Sequence, residues 1–232
     1  MRKLLLPLTL TLALLPCCKG KNRVSDAEQR LGERMKRELA DKTLQSGSPV
    51  FLRAFKEERE LELYVQSGST GKFELFRTYP IVAASGHLGP KMAEGDGQVP
   101  EGFYAVGQSA MNPNSSYHLA FNIGYPNAYD RAHGRTGSFI MVHGANVSVG
   151  CLAMTDAKIE EIYTLCQAAL DHGQPVFEVH IFPFRMTAER LQKAAGEPHL
   201  PFWQNLQTGY DLFEKHRIPP AVTVVGHTYA FE

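Results

Sequence analysis

The chain carries no net charge, because its 24 Lys and Arg residues are balanced by 24 Asp and Glu residues. It also lacks a basic stripe, so we do not expect a nucleic acid partner. No H-E-x-x-H motif is present, and the nine histidines are scattered along the sequence. This pattern disfavours a zinc site, and we expect neither a metal nor another cofactor.

Long apolar runs are also missing. The run from Leu4 to Leu15 is too short to span a bilayer, but after Arg2 and Lys3 it has the length of a signal-peptide core. We therefore expect residues 1–18 to be an export signal and the protein to lie in the periplasm. Two forms stay open: an ordinary cleaved signal, or a lipoprotein signal in which an acylated Cys18 provides the one membrane anchor.

Cysteines are few, and removal of the signal leaves Cys151, Cys166 and, if it is acylated, Cys18. An exported protein could join Cys151 to Cys166 in a disulfide. However, Cys166 falls on the apolar face of a predicted helix that begins at Thr155 or Asp156, together with Ile159, Ile162 and Ala169. We therefore expect a buried Cys166 and no disulfide.

The length and an apolar content of 44% predict one main domain with a full core. Residues 19–48 are highly charged and place Leu31, Met35 and Leu39 at helical spacing, which favours an amphipathic helix or a tether. We expect residues 49–183 to form the main domain and residues 184–232 to form a helical extension packed on it. Within residues 49–232, the predicted strands are 50–56, 60–65, 72–78, 103–106, 118–123, 139–142, 174–182 and 221–225. The predicted helices are 155–172, 187–195 and 202–216.

The stretch from Ser138 to Asp156 contains the candidate catalytic residues. Phe139 to Val142 reads as a buried strand, His143 stands at its end, and Gly150 directly precedes Cys151. A catalytic cysteine needs a nearby base, and eight residues of chain are long enough for His143 to reach Cys151.

These positions predict a separate catalytic role for each residue. Cys151 attacks an amide carbonyl, and His143 removes the thiol proton and later protonates the leaving amine. The backbone N–H groups of Gly150 and Cys151 are candidates for an oxyanion hole. Either Ser148 or a backbone carbonyl of the loop is expected to orient the imidazole.

A second candidate region is the polar and aromatic insertion from Gly124 to Gly137. Long irregular insertions in compact domains are usually functional or disordered. Tyr125, Arg131, His133 and Arg135 favour a substrate-facing loop, in which the arginines pair with substrate carboxylates.

The combination of His143-Gly144 with Ser148-x-Gly150-Cys151 resembles the active-site signature of the YkuD-type L,D-transpeptidase catalytic domain. The segments 86–91 and 100–104 fit the same family, and the segments 121–130 and 183–186 are similar to its YafK-like branch. The resemblance implies an α+β, mostly β fold: an L,D-transpeptidase-like β-sandwich or curved sheet, with a helix after Cys151 and a C-terminal helical extension. It also implies a role in cell wall biogenesis and cell shape.

The implied substrate is peptidoglycan, with acyl transfer at the diaminopimelate carbonyl of a stem peptide through a Cys151 thioester. The YafK-like branch implies a hydrolytic alternative, in which protein or peptide attached to diaminopimelate, such as a wall-attached lipoprotein, is released. Two positions depart from the family pattern, since Val149 replaces its usual histidine and Ala153 its usual Asn or Arg. These departures keep open a third hypothesis, a wall-binding protein without catalysis.

Overall fold

The computed structural model of the protein describes residues 22–232. The predicted signal at residues 1–18, the acylation site Cys18 and the first residues of the charged segment lie outside this range. No helix among residues 22–232 is both long and apolar enough to cross a membrane.

The fold is α+β, as predicted. Its helices are α1 (Arg23–Ala40), α2 (Ala128–Ala132), α3 (Asp156–Asp171), α4 (Ala188–Lys193) and α5 (Leu200–His216). Its strands are β1 (Val50–Phe55), β2 (Glu60–Gln66), β3 (Phe73–Pro80), β4 (Gly102–Gly107), β5 (Met111–Asn112), β6 (Ala120–Asn122), β7 (Met141–His143), β8 (Leu152–Ala153), β9 (Val176–Phe182), β10 (Val222–Val225) and β11 (Thr228–Phe231).

A five-stranded sheet in the order β3-β2-β1-β9-β4 forms the larger layer. β1 lies at its centre, parallel to β9 and antiparallel to β2, and every residue of β1 is buried. A smaller sheet has the order β5-β6-β7-β8, and the candidate nucleophile Cys151 directly precedes β8. Its core shares apolar residues with the large sheet, α1 and α3.

Helix α3 follows the sequence prediction. Ile159, Ile162, Cys166 and Ala169 are all buried, so the apolar face predicted for this helix is confirmed. Thr155 is the N-cap, but its side chain makes no capping hydrogen bond, and its φ is 75°. Asp156 instead accepts a hydrogen bond from the backbone of Ala145 at 2.8 Å, which ties the nucleophile loop to the helix start.

The charged segment is a helix that packs on the domain. In α1, Leu31, Met35 and Leu39 are buried in the main core, so this part of the chain is not a free tether. Arginines on the flanks of that stripe meet two glutamates of α3: Arg30 pairs with Glu160 at 2.5 Å, and Arg34 pairs with Glu161.

Two local predictions need correction. The strand predicted at 139–142 is β7, which begins at Met141. Phe139 is 75% exposed, and its φ of 53° takes it out of the strand. The insertion at 124–137 is not irregular throughout, because Asn127 and Asp130 form a reciprocal capping box that starts α2.

The C-terminal segment contains α4, α5 and a hairpin. Its single predicted strand is paired with a second, β11, whose partner register runs from Val222–Phe231 to Val225–Thr228. Trp203 and Tyr229 from this segment share a buried cluster with Phe55, Phe103 and Phe182 of the large sheet.

Candidate active site

The parallel pairing of β7 with β8 places Cys151 beside Met141 at the start of β7, while His143 ends the same strand. Val142 pairs with Leu152 and His143 pairs with Ala153, so the intervening loop folds back over the strand ends. Cys151 directly precedes β8, and its sulfur accepts a hydrogen bond from the backbone N–H of Met141 at 3.3 Å.

The imidazole of His143 is oriented by a backbone carbonyl. Its Nδ1 lies 2.7 Å from the carbonyl oxygen of Gly144, and since a carbonyl can only accept, Nδ1 carries the proton. Nε2 is therefore the basic nitrogen. The ring lies beside that of Tyr117, with 4.8 Å between centroids. Of the two orienting groups considered from the sequence, the carbonyl rather than Ser148 is in place.

Burial shifts the pKa of both candidate residues away from a charged pair. It lowers the pKa of His143, partly opposed by the hydrogen bond to Gly144. It also raises the pKa of the half-buried Cys151, partly opposed by the Met141 N–H and by the positive charge of Lys91. The thiol lies 3.6 Å from the carbonyl oxygen of Phe139, the acceptor for its proton. The resting pair is thus a thiol and a neutral imidazole.

The two amides proposed for an oxyanion hole both donate to serine hydroxyls. Gly150 N–H bonds to Ser85 Oγ at 2.7 Å, and Cys151 N–H bonds to Ser148 Oγ at 3.1 Å. Gly150 has a φ of +78°, the left-handed region that favours glycine, so the residue before the nucleophile has a conformational reason to be glycine. An oxyanion could reach these amides only after the hydroxyls turn away.

Ser85 connects two loops and was not identified from the sequence. Besides accepting from Gly150, its hydroxyl donates to the carbonyl oxygen of Gly97 at 2.5 Å. It therefore links the nucleophile loop to the glycine-rich loop at 85–97. A serine inside a glycine-rich segment gives no local signal for such a contact.

Lys91 is a buried cation of the same loop. Its ammonium group pairs with Asp96 at 2.6 Å and donates to the carbonyl oxygen of Ala93 at 2.8 Å. Burial acts to raise the pKa of Asp96, but hydrogen bonds from Ala93 N–H, from Lys91 and from other loop amides outweigh it and hold that pKa at about 2. Asp96 is therefore ionised and holds the loop in its conformation.

Two of the four predicted substrate-binding side chains are engaged inside the protein. Tyr125 is buried, and its hydroxyl donates to the carbonyl oxygens of Lys91 and Thr136 at 3.1 and 3.4 Å. Arg135 is buried and pairs with Asp130 at 2.8 Å. Both side chains therefore make their polar contacts with other residues of the protein, although Arg135 also lines a surface cavity.

The other two lie at the surface on different sides of α2. Arg131 is exposed and lines a cavity of about 400 Å³ between α2, β4, β9 and the C-terminal hairpin. His133 is exposed and stacks on Tyr129, with 4.1 Å between ring centroids. It lines a separate cavity of about 350 Å³ that includes Arg135. The insertion therefore does not bring these four side chains into one site.

The surface around the nucleophile loop is apolar. Five large apolar side chains from four loops are exposed there, although such side chains are usually buried. They are Met92 (54% exposed), Tyr117 (48%), Phe139 (75%), Val147 (59%) and Val149 (81%). Val149 and Met92 line a groove of about 640 Å³ that continues along residues 85–98 to His199.

Ala153, the second departure from the family pattern, is fully buried in β8. It hydrogen-bonds through its backbone to Ala83 and Val82. No polar side chain therefore stands two places after the nucleophile. Within residues 22–232, no group of three or more His, Cys, Asp or Glu side chains is arranged to hold a metal ion.

The family model of the L,D-transpeptidase catalytic domain, YkuD, matches residues 51–181, a range that includes both His143 and Cys151. The chain is 43% identical to YafK of Escherichia coli (strain K12), which is provisionally named an L,D-transpeptidase. That match extends over 231 residues, 99% of this chain and 90% of the relative.

Two solved structures are more distant. The helical cell shape determining protein Pgp2 from Campylobacter jejuni is 19% identical with a TM-score of 0.48, over 84% of this chain and 80% of that chain. Bd1075 of Bdellovibrio bacteriovorus is 18% identical with a TM-score of 0.42, over 77% of each chain.

Proposed function

Because this chain belongs to the L,D-transpeptidase catalytic domain family, we propose that it is a cysteine acyltransferase of peptidoglycan, with Cys151 as nucleophile and His143 as base. The observation that carries the proposal is the site geometry within the matched residues. The sulfur of Cys151 is held by Met141 N–H, and the imidazole of His143 is held by the Gly144 carbonyl with Nε2 as its basic nitrogen.

The first half of the reaction follows from these groups. His143 Nε2 takes the thiol proton as the sulfur attacks an amide carbonyl, and a C–S bond forms. The tetrahedral intermediate then loses its C–N bond, and His143 returns the proton to the leaving amine. The products are a Cys151 thioester and a free amine.

The oxyanion of that intermediate needs hydrogen-bond donors. Gly150 N–H and Cys151 N–H are the amides beside the sulfur, and both already point to oxygen acceptors, Ser85 Oγ and Ser148 Oγ. An oxyanion that replaces these hydroxyls would gain two donors with little backbone movement.

The acyl donor is the diaminopimelate carbonyl of a stem peptide, in line with the family. In a transpeptidase, the amine of a second stem peptide attacks the thioester carbonyl, a C–N bond forms and the C–S bond breaks. His143 takes a proton from the amine and passes it to the departing sulfur, which restores the thiol. The acceptor amine must be held close to the carbonyl while water is kept away.

A hydrolase of the same bond is the second candidate. In this reaction water replaces the acceptor amine, gives its proton to His143, and releases a carboxylic acid and the thiol. The apolar, 81% exposed Val149 and the buried Ala153 favour this candidate, because neither position offers a polar group to hold an acceptor amine. Its substrate is a protein or peptide attached to diaminopimelate, such as a wall-attached lipoprotein.

Both reactions require the protein to meet the wall, and we propose that residues 1–18 direct export to the periplasm with acylation at Cys18. The short apolar run after Arg2 and Lys3 supports this proposal. Mass spectrometry of the native N-terminus tests it. A mature chain that retains Met1 would argue against export, and an unmodified start beyond Cys18 would argue against lipidation alone.

The deciding experiment treats purified sacculi with the protein or with its Cys151→Ala variant and identifies the muropeptides by mass spectrometry. Half of the sacculi carry covalently attached lipoprotein. New diaminopimelate–diaminopimelate cross-links identify a transpeptidase, and loss of attached protein without new cross-links identifies a hydrolase. No change in either preparation, with Cys151 alkylatable, would refute catalysis and leave a wall-binding protein.

A further inference from the structure

The turn between β5 and β6 covers the candidate base. We name residues 113–119 the Tyr117 turn, after the residue whose ring centroid lies 4.8 Å from that of His143, at an interplanar angle of 39°. His143 is buried, whereas Tyr117 is about half exposed. The phenol ring therefore separates one side of the imidazole from solvent, although no step of the proposed reaction uses Tyr117 itself.

The Tyr117 turn also packs on Gly144, the residue whose carbonyl orients the imidazole. Gly144 N–H donates to the carbonyl oxygen of Leu119 at 3.1 Å. A Cβ at Gly144 would lie 2.7 Å from the carbonyl oxygen of Tyr117 and 3.0 Å from the Cβ of His118, so this close approach requires glycine. The turn therefore contacts both the imidazole ring and the residue that accepts its Nδ1–H.

The backbone of the Tyr117 turn is held by groups outside it. His118 has a φ of 72°, a left-handed conformation that costs energy for a residue with a side chain and persists where neighbouring groups enforce it. The ring Nε2 of His118 pairs with Glu160 of α3 at 2.7 Å. The carbonyl oxygens of His118 and Ser115 each accept a hydrogen bond of 2.6 Å from Nη1 of Arg23 in α1. Two helices therefore fix the conformation of the turn.

Arg23 is the first residue of α1, a position where a cation does not help the helix itself. The N-terminus of a helix carries a partial positive charge, so an arginine in the first turn is repelled by it. The guanidinium instead reaches two carbonyl oxygens that lie 92 and 95 positions away in the sequence. Hydrogen bonds from a charged donor are roughly twice as strong as neutral ones. The Tyr117 turn, rather than α1, thus explains an arginine at this position.

We propose that Tyr117 and Arg23 are positioning residues for His143: Arg23 fixes the Tyr117 turn, and the ring of Tyr117 fixes the imidazole. This inference rests on the proposed function and adds two residues to the support of its base. A single hydrogen bond at Nδ1 leaves the imidazole ring free to tilt, and the contact with Tyr117 limits that tilt. A side chain of the charged N-terminal helix thereby acts on the catalytic base through one turn.

The ionisation of His143 tests the proposal without any substrate. Its imidazole Cε1–H signal is followed by NMR as the pH is varied, and loss of one signal in His143→Gln assigns it. Because burial lowers the pKa of His143, Tyr117→Ala and Arg23→Ala should each admit water and raise the midpoint toward about 6.5. Tyr117→Phe keeps the ring and should restore the midpoint of the unsubstituted protein.

The double variant of Arg23→Ala with Tyr117→Ala separates positioning from a direct effect of charge. If Arg23 acts through Tyr117, the double variant should have the same midpoint as Tyr117→Ala alone, whereas a direct charge effect would add to it. The other titratable groups packed around Gly144 and the turn, Asp156, Glu160 and His118, are the same in every variant. Additive shifts, or an unchanged midpoint in either single variant, would overturn the proposal.

Initial rates with peptidoglycan fragments are the second measurement. Arg23 does not line the groove beside the nucleophile, so Arg23→Ala should leave KM nearly unchanged. It should lower kcat about tenfold, since misplacement of a reacting group can cost up to about a hundredfold. Arg37→Ala, which removes the same charge from an exposed position of α1, is the matched control and should change neither kcat nor the midpoint. A lower melting temperature with kcat and midpoint unchanged would mean that Arg23 and Tyr117 only stabilise the fold, which overturns the proposal.

Failure of this inference is distinguishable from failure of the proposed function, because the NMR titration requires no turnover. If the unsubstituted protein converts sacculi while the midpoint of His143 is the same in all variants, the positioning role alone is refuted. If the midpoints shift as expected but the unsubstituted protein never converts sacculi, the reaction at Cys151 is refuted and the placement of the imidazole by Tyr117 and Arg23 stands.

Discussion

At the residue scale, burial disfavours the charged forms of both candidate catalytic residues, Cys151 and His143. A buried thiol resists ionisation and a buried imidazole resists protonation, so neither becomes charged at rest. The proton must then move during attack on the substrate rather than before it. This differs from cysteine enzymes in which a preformed thiolate faces an imidazolium.

The pH dependence of the rate tests this arrangement. Activity needs the neutral imidazole, so kcat/KM should fall on the acidic side as His143 becomes protonated. Because burial lowers the pKa of His143, the midpoint of that fall should lie below about 6.5, the ordinary value for histidine. The alkaline side should stay flat to about pH 9, because burial raises the pKa of Cys151.

His143→Ala should reduce kcat/KM at least about a hundredfold, the usual scale for a general base, and should abolish the acidic fall. Initial rates from pH 5 to 9 measure both effects. An acidic midpoint above pH 7 in the unsubstituted protein would contradict a buried neutral imidazole.

The two described cysteines should separate activity from stability. Cys151→Ala should abolish turnover and leave the melting temperature nearly unchanged, because the sulfur is half-buried at the edge of the small sheet. Cys166→Ala should keep activity and lose about 1 kcal/mol of unfolding free energy, because Cys166 is fully buried on α3. Activity assays and denaturant titration decide, and exchanged outcomes would refute the assignment of the nucleophile.

At the scale of elements, α1 is the clearest case of a segment whose role depends on its neighbours. Its charged residues are compatible with a solvated helix, yet Met35 and Leu39 are 3% and 1% exposed. Glu161 of α3 accepts hydrogen bonds from Arg34 of α1, and from Arg77 and Tyr79 of β3. The charges of α1 thus serve to fasten it to the domain.

Met35→Ala should therefore destabilise the whole protein by about 2–5 kcal/mol, the range for truncating a buried methionine in a core. Glu33→Ala on the exposed face of the same helix is the control, and should change the unfolding free energy by less than about 0.5 kcal/mol. Urea denaturation measures both. Equal effects of the two substitutions would mean that α1 does not pack in solution as it does in the structure.

At the scale of the whole molecule, one buried ion pair joins three parts of the chain. Lys56 after β1 pairs with Glu101 at 2.9 Å, and Lys56 also donates to the carbonyl oxygens of Gly89 and Val99. The indole N–H of Trp203 in α5 donates to the other oxygen of Glu101 at 2.8 Å. The Lys56–Glu101 pair therefore connects the large sheet, the glycine-rich loop and the C-terminal segment.

Glu101→Gln should cost about 3–5 kcal/mol of unfolding free energy, because it leaves the charge of Lys56 buried without its partner. Burial already lowers the pKa of Lys56, and the negative charge of Glu101 is what opposes this effect and stabilises the ammonium group. Glu189→Gln, which removes an exposed pair with Lys193, is the control and should have an effect below about 1 kcal/mol. A small effect at Glu101 would show that the three parts hold together without this pair.

The periodicity of the sequence determined most of the elements. Strands β1 to β3, the face of α3 and the bounds of α5 to within two residues were predicted, because each depends on side chains two to four positions apart. The position of His143 at the end of β7 also followed from the order of residues.

The tertiary structure alone decided what the site residues contact. Gly150 donates to Ser85, 65 positions away, and Arg135 pairs with an aspartate that is buried against β4. Burial of α1 and the pairing of the second hairpin strand β11 likewise depend on which surfaces meet. Such contacts are set by the packing of distant elements, and no local pattern in the sequence contains that information.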